Sequence, residues 1–155
     1  MIFYTKNSKE TIKLGERIAR YLKKGDIVGF IGELGTGKTT MIKGIVKFFS
    51  SDKVFSPSFV IINEYKDKIP IFHFDLYRIK SFDELIDIGW NDYLDKGIIL
   101  IEWADRIKKN LPKKTIYVKI KNIGENERKI EIKNLKGVKN DKQGKNFKST
   151  KSSNS

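Results

Sequence analysis

The feature that most constrains this chain is the stretch Gly32-Glu33-Leu34-Gly35-Thr36-Gly37-Lys38-Thr39, which fits the phosphate-binding pattern G-x-x-x-x-G-K-[ST] at every position. A phosphate group carries about two negative charges near neutral pH, so a loop that binds it needs converging backbone N–H donors. The three glycines permit that close approach and positive φ angles. The stretch therefore predicts a nucleotide site, with Lys38 on the β and γ phosphates and the Thr39 hydroxyl on Mg2+.

The residues on either side of this phosphate loop favour a strand before it and a helix after it. Ile27 to Ile31 form a short apolar run that is typical of a buried strand. After the loop, apolar residues recur at helical spacing, so the loop leads into a helix N-terminus whose dipole favours phosphate. This order predicts an α/β fold of the P-loop NTPase type, a three-layer sandwich around a mixed, mostly parallel central sheet.

Length and composition set outer bounds on the protein. A chain of 155 residues has room for one folded domain, and the absence of cysteine excludes disulfides, thiolate metal sites and thiol nucleophiles. Residues 1–10 hold no apolar signal segment, and no run approaches the ~18 apolar residues of a membrane span. We therefore expect a soluble cytoplasmic protein without membrane contact.

The net charge of +13 suggests nucleic-acid binding, but much of it lies at the C-terminal end. Residues 133–155 hold seven lysines and one aspartate, a net +6, which leaves +7 for residues 1–132. The tail has Phe147 as its one aromatic and cannot bury enough surface to fold. The sequence thus predicts a P-loop ATPase domain over 1–132 and a disordered Lys-rich tail over 133–155. That tail is either a solubilising end or a polybasic arm that loosely holds RNA.

Local patterns predict the remaining helices and strands. The helical segments are a first helix capped by Asn7 or Ser8 and ended by Gly25, a helix opened by a capping box at Ser81–Glu84 and ended by Gly89, a helical turn over Asp92–Lys96, and a short helix over Ala104–Asn110. The strands are a hairpin of Phe59–Ile62 and Ile69–Phe74 around a turn at 66–68, a buried central strand over Gly97–Glu102, and an antiparallel edge pair of Thr115–Ile120 and Arg128–Ile132.

Two carboxylates follow apolar strand patterns. A P-loop ATPase needs a second acid that holds magnesium or orients water, and such acids lie at the carboxyl ends of central strands. Asp75 and Glu102 both have this placement, and Glu102 fits better because the run before it is unbroken. The lone histidine, His73, is interpreted as a partly buried strand residue, because one histidine cannot build a zinc site without cysteines.

Several motifs, in this order and at family-like spacing, make the chain similar to a known family. They are the phosphate loop followed by Thr40, Ser56-Pro57-Ser58-Phe59, His73-Phe74-Asp75-Leu76-Tyr77-Arg78, Glu84-Leu85 with Gly89 and Asp92-Tyr93, and Ile101-Glu102-Trp103. Over residues ~5 to ~132 the chain resembles the bacterial TsaE (YjeE) family, ATPases of tRNA threonylcarbamoyladenosine biosynthesis. The histidine-containing and Glu-Trp motifs are more specific than the phosphate loop, which many unrelated ATPases share.

The resemblance implies a set of roles for the matching residues. Residues 32–40 would cradle ATP, Lys38 would bind its phosphates, and Thr39 and Glu102 would hold Mg2+. Asp75 would be the second acid in the nucleotide site, with Ser58 and Trp103 near it. Three residues depart from the family's usual pattern: Glu33 in place of Asp, Thr36 in place of Ala, and Ser58 in place of Thr. Each keeps the polar or small character of its position, so the implied roles stand and only details of the site would differ.

The resemblance also implies partners. A protein of this family works with TsaD and TsaB, which transfer a threonylcarbamoyl group to the adenosine beside the anticodon of tRNA. It would be a weak Mg2+-dependent ATPase that is active in that complex and meets tRNA through it. Two alternatives are a small P-loop kinase of a metabolite and a basic nucleic-acid-binding module with a vestigial ATP site.

Further expectations concern the surroundings of the nucleotide. Asn7 and Arg128 are candidates for contact with adenine, and Lys38 is expected to face solvent in the empty site. Arg78, three residues after Asp75, is the nearest candidate for an arginine that stabilises the transition state. It would either do this or brace Asp75. An exposed Trp103 and the run Phe72–Tyr77 would suit a rim that faces a partner, although core aromatics would explain them equally well.

Overall fold

The computed structural model describes residues 1–50, 62–66 and 69–137. Its helices are α1 (Ser8–Ala19), α2 (Lys38–Phe49), α3 (Phe82–Asp87), α4 (Trp90–Tyr93) and a 3-10 helix over Ala104–Asn110. Its strands are β1 (Ile2–Thr5), β2 (Ile27–Ile31), β3 (Ile62–Tyr65), β4 (Ile71–Asp75), β5 (Ile98–Glu102), β6 (Ile116–Asn122) and β7 (Arg128–Lys133). No helix in these described ranges is long and apolar enough to cross a membrane.

The described strands form one sheet in the order β1-β7-β6-β2-β5-β4-β3. The pairs β6–β2, β2–β5 and β5–β4 are parallel, whereas β1–β7, β7–β6 and β4–β3 are antiparallel. Five strands therefore run in one direction and β7 and β3 run against them. The predicted mixed and mostly parallel sheet is confirmed, and β2, which leads into the phosphate loop, lies at its centre.

Helices cover the sheet on two faces, which completes the predicted three layers. One core lies between the sheet and α1 and α2, and the other lies between the sheet and α3, α4 and the 3-10 helix. β5 is buried at every position because it contributes alternate side chains to both cores. This is the burial expected of a central parallel strand with both faces covered.

The two helices on the first face pack unusually close together. The Gly15 Cα approaches the α2 backbone so closely that an added Cβ would lie 2.3 Å from the Met41 carbonyl oxygen. A Cβ on Gly44 would lie 2.0 Å from the Ile12 carbonyl oxygen. Because α2 begins with Lys38, this contact helps to fix the axis of the helix that carries the end of the phosphate loop.

Several sequence-based boundaries need correction. The sequence interpretation missed β1, a four-residue strand that pairs with β7. As a result β6 and β7 are not an edge pair, because β1 takes the edge position. The helical turn predicted at Asp92–Lys96 begins earlier, as α4, since Gly89 supplies the positive φ of 95° that starts a new helix.

Two more local predictions were incomplete. The Ser81 side chain makes no cap hydrogen bond, and Glu84 Oε2 instead accepts from the Lys80 backbone N–H at 3.2 Å, so no capping box forms. The hairpin is confirmed, but its first strand is β3 at Ile62–Tyr65. Most of the strand predicted at 59–62, the centre of the 66–68 turn, and Ser56 to Ser58 lie outside the described residues.

The division into a domain over 1–132 and a tail over 133–155 stays a prediction. β7 continues through Lys133, and Leu135 packs against the first core. Residues 138–155 lie outside the described part of the chain.

Candidate nucleotide site

The phosphate loop joins β2 to α2 as the sequence predicts. Gly35 and Gly37 adopt positive φ angles of 75° and 99°, which a residue with a Cβ rarely reaches. Gly32 is required for a different reason, because a Cβ there would lie 2.6 Å from the Ile120 carbonyl oxygen. The Thr36 hydroxyl is buried and donates to the Glu33 carbonyl at 2.9 Å, which closes the turn. Leu34 stands at the exposed tip of the loop.

Lys38 is buried, so the expectation that it faces solvent is wrong. Its Nζ donates to the carbonyl oxygens of Gly32 and Glu33, the latter at 2.8 Å, and lies 4.1 Å from the centroid of the Trp103 ring. Burial lowers the pKa of Lys38, and the charges of Glu102, Asp105, Asp75 and Glu33 oppose that shift. The ammonium is thus held by the carbonyls of its own loop, in a position from which it can turn to a phosphate.

The structure brings together the two residues expected to hold magnesium. Thr39 Oγ1 donates to Glu102 Oε1 at 2.7 Å, across 63 positions of sequence. Glu102 ends β5 and is 4% exposed, while Thr39 is the second residue of α2. A hydroxyl and a carboxylate at this distance form a pair of hard oxygen donors at the edge of the sheet.

Asp75 lies beside Glu102 because the parallel register of β4 and β5 pairs these two residues directly. Burial raises the pKa of Asp75, and the neighbouring Glu102 charge adds to that rise, whereas the hydrogen bond from the Tyr77 backbone N–H, at 3.0 Å, opposes it. Arg78 does not brace this carboxylate. Its side chain is exposed, and the two form no ion pair in the described structure.

His73 has a position that the sequence interpretation missed. It is fully buried, and its Nε2 lies 2.7 Å from Glu102 Oε2. The expectation of a partly buried strand histidine was therefore incomplete, since the ring contacts a predicted magnesium ligand. The signal available in the sequence was its place two residues before Asp75, which puts both side chains on the same face of β4.

Aromatic side chains line one wall of the site. Trp103 has a positive φ of 62°, and its ring lies over Lys38 and 5.2 Å from the ring of Tyr77 between centroids. Trp103 is partly buried, so it is not the exposed residue that was expected. The predicted rim over Phe72–Tyr77 is wrong apart from Tyr77, because the residues at 72–74 and 76 are core or nearly fully buried.

The two candidates for adenine contact have defined neighbours in the structure. Arg128 donates from Nε to the Thr36 carbonyl at 3.0 Å and from Nη2 to the Gly35 carbonyl at 3.4 Å, so it supports the phosphate loop from β7. Asn7 caps α1, where its Oδ1 accepts from the Glu10 backbone N–H at 2.9 Å. Their contact with adenine stays a prediction, and Ser58 lies outside the described residues.

Comparison with known proteins shows which family this chain is similar to. The family model described as "Threonylcarbamoyl adenosine biosynthesis protein TsaE" matches residues 5–130. The chain is 38% identical over 129 residues to the tRNA threonylcarbamoyladenosine biosynthesis protein TsaE of Bacillus subtilis, which covers 81% of this chain and 80% of that protein. The protein of the same name from Rickettsia prowazekii is 39% identical over 133 residues, 83% of this chain and 92% of that one.

A solved structure shows the same fold. The crystal structure of YdiB from Bacillus subtilis superposes with a TM-score of 0.71 and 33% sequence identity, covering 84% of this chain and 82% of YdiB. The predicted P-loop NTPase fold is confirmed by this likeness together with the strand, loop and helix at residues 27–49.

Proposed function

This chain belongs to the TsaE family, the threonylcarbamoyl adenosine biosynthesis proteins, and from that premise we propose that it binds ATP with Mg2+ and hydrolyses it slowly in support of tRNA threonylcarbamoyladenosine biosynthesis. The observation that carries the proposal is the 2.7 Å contact between Thr39 and Glu102 directly beside Lys38. The loop, the lysine and a strand-end acid on the neighbouring strand are the parts that P-loop ATPases use. Membership of this family favours the ATPase over the small kinase and the nucleic-acid-binding module.

The residues present fit a magnesium ion that is shared with the nucleotide. Mg2+ prefers oxygen ligands and commonly takes one or two from the protein and the rest from phosphates and water. Thr39 and Glu102 supply such oxygens, and no cluster of three or more histidines and carboxylates suited to a metal occurs within the described ranges. Bound Mg2+ would neutralise charge on the β and γ phosphates.

The other residues of the site have separate tasks in this proposal. Lys38 exchanges the Gly32 and Glu33 carbonyls for phosphate oxygens when ATP enters. Asp75 orients the attacking water, a role that its half-buried carboxylate and its raised pKa support. Arg128 holds the Gly35 and Thr36 carbonyls, which keeps the loop N–H groups turned towards the phosphates.

Slow hydrolysis in isolation follows from the arginines around the site. Transition-state charge in phosphoryl transfer is commonly met by an arginine, worth about 10³ to 10⁵ in rate. Here Arg128 is bonded to loop carbonyls, and Arg106 lies beyond Trp103, where its Nη1 donates to the Ile79 carbonyl at 3.3 Å. We propose that TsaD, acting with TsaB, completes the site, and that tRNA is met through that complex.

Addition of TsaD and TsaB is expected to raise ATP turnover well above that of the isolated protein. Truncation of residues 139–155 is expected to leave the stimulation intact, because that segment has little apolar surface with which to build an interface. Phosphate release with and without the partners, for the full and truncated chains, measures both effects. Fast turnover by the isolated protein with no response to the partners would refute the proposal.

The two acids are expected to differ when each is replaced by its amide. Glu102→Gln weakens magnesium-dependent ATP binding, on the order of tenfold, because it removes a charged oxygen from the metal site. Asp75→Asn retains binding and loses hydrolysis, because its task concerns water. Nucleotide titrations with and without Mg2+, alongside phosphate release, separate the two variants. The opposite pattern would exchange the two roles.

A further inference from the structure

His73 lies at the end of a chain of buried polar contacts that runs into the nucleotide site. Its side chain is 0% exposed, and Nε2 lies 2.7 Å from Glu102 Oε2, whose side chain is 6% exposed. On the other side of the ring, Nδ1 lies 3.4 Å from the Tyr65 hydroxyl. The ring also stacks against Tyr65, with 6.2 Å between centroids. The buried ring is therefore contacted at both nitrogens, and Nε2 is the one that faces Glu102.

The Glu102 carboxylate is engaged on both of its oxygens. Oε1 accepts from the Thr39 hydroxyl at 2.7 Å, and Oε2 contacts His73 at the same distance. An ionised carboxylate can only accept hydrogen bonds, so the hydrogen of the second contact is carried by His73 Nε2. Rotation of the carboxylate would break one or both bonds in a nearly dry site, where an unpaired polar group is costly.

We propose that His73 is the positioning residue of the magnesium site. Its Nε2–H fixes Glu102 so that Oε1 faces Thr39 and the phosphate loop, while Oε2 is held back in the sheet. Glu102 would thus offer a single oxygen, in one orientation, to a bound Mg2+. The consequence for metal affinity rests on the proposed function, whereas the hydrogen bond itself is a property of the nucleotide-free protein.

The topology explains why a histidine is suited to this position. In the parallel register of β4 and β5, His73 pairs with Leu100 and Asp75 pairs with Glu102. A side chain at 73 must therefore reach forward along the sheet by one same-face step to meet Glu102. Imidazole spans this distance with a rigid ring. The side chain has only two rotatable bonds, so it loses little conformational freedom when it forms the hydrogen bond to Glu102.

The first test reads the hydrogen bond directly, in the protein without nucleotide. His73 is the one histidine of the chain, so 15N-imidazole NMR gives a single assignable set of ring signals. We expect a protonated Nε2 whose shift changes in Glu102→Gln and stays unchanged in Lys43→Ala, a change at an exposed position of α2. An unprotonated Nε2, or ring signals that ignore Glu102→Gln, would overturn the proposal.

The second test compares two replacements of His73. The amide nitrogen of glutamine can occupy the place of imidazole Nε2, so His73→Gln retains a donor to Glu102, whereas His73→Leu removes it and leaves an apolar side chain. We expect the gain in ATP affinity upon addition of Mg2+ to be largely kept in His73→Gln and reduced by about tenfold or more in His73→Leu. ATP affinity without Mg2+ is expected to stay within a factor of about two in both, because Lys38 and the loop are unchanged.

The outcomes separate this inference from the proposed function. A folded His73→Leu variant with an unchanged response to Mg2+ would overturn the positioning role, even if the wild-type protein binds Mg-ATP as proposed. If the ATP affinity of the wild-type protein does not change with Mg2+, the magnesium site is refuted instead. The NMR result would then show by itself whether His73 donates a hydrogen bond to Glu102. The NMR test also decides the case if His73→Leu fails to fold, because it needs no variant at that position.

Discussion

Lys38→Ala is expected to lower ATP hydrolysis by at least about a hundredfold and to weaken Mg-ATP binding, while the protein remains folded. The Nζ is the cation that the structure places within the phosphate loop, where it now donates to the Gly32 and Glu33 carbonyls. Burial lowers the pKa of Lys38, so the folded protein without nucleotide holds the charged side chain less favourably than the unfolded chain does. Its removal therefore does not cost the fold an ionic stabilisation.

Two further variants make the Lys38 experiment specific. Lys38→Met keeps an unbranched stem near the Trp103 ring without the charge, so it separates packing from phosphate binding. Lys43→Ala removes a lysine from an exposed position of the same helix and is expected to behave as the wild type. Calorimetric ATP titration, phosphate release and thermal unfolding are the measurements. Normal ATP binding and hydrolysis in a folded Lys38→Ala variant would refute the assignment of residues 32–39 as the nucleotide site.

The phosphate loop and the strands around it were predictable because their signals are local. Residues 32–39 specify a loop conformation by their glycines, and the apolar runs at 27–31 and 98–101 have no polar interruption. Burial on both faces leaves such a run few alternatives to a central strand. The placement of Asp75 and Glu102 at the carboxyl edge followed from the same strands, without knowledge of the sheet order.

The contacts that depend on distant pairing were not predictable. β1 is made of strand-favouring residue types but is only four residues long, and its partner β7 is near the other end of the described chain, so its pairing cannot be inferred locally. The position of His73 against Glu102 requires that β4 be the neighbour of β5, in a particular register. Lys38 is covered in part by the ring of Trp103, a residue with a positive φ of 62° that no feature of the sequence marks. None of these follows from spacing alone.

The close contact of α1 and α2 couples the stability of the fold to the nucleotide site. Gly44→Ala is expected to lower the free energy of unfolding by about 2 kcal/mol. An added Cβ would lie 2.0 Å from the Ile12 carbonyl oxygen and 3.1 Å from the Glu16 backbone nitrogen, and backbone atoms cannot move aside by changing rotamer. Overpacking typically costs about 1–3 kcal/mol, and a clash with backbone atoms places this substitution at about the upper end of that range. Alanine returns about 1 kcal/mol through its higher helix propensity.

Gly15→Ala is expected to act in the same way, because its Cβ would lie 2.3 Å from the Met41 carbonyl oxygen on the opposite helix. The two substitutions relieve their overlap by the same separation of α1 from α2, so the double variant is expected to lose less stability than the sum of the singles. Denaturant unfolding of the four proteins measures this coupling. Gly124→Ala is the matched control, since a Cβ there meets nothing nearer than 3.4 Å.

The same variants connect packing to function. α2 carries Lys38 and Thr39 in its first turn, so a shift of its axis away from α1 moves the Thr39 hydroxyl relative to Glu102, which is fixed in the sheet. Gly44→Ala is therefore expected to weaken magnesium-dependent ATP binding as well as stability, at a temperature where the variant is still folded. A destabilised variant with unchanged ATP affinity would show that the phosphate loop holds its geometry without the support of α1.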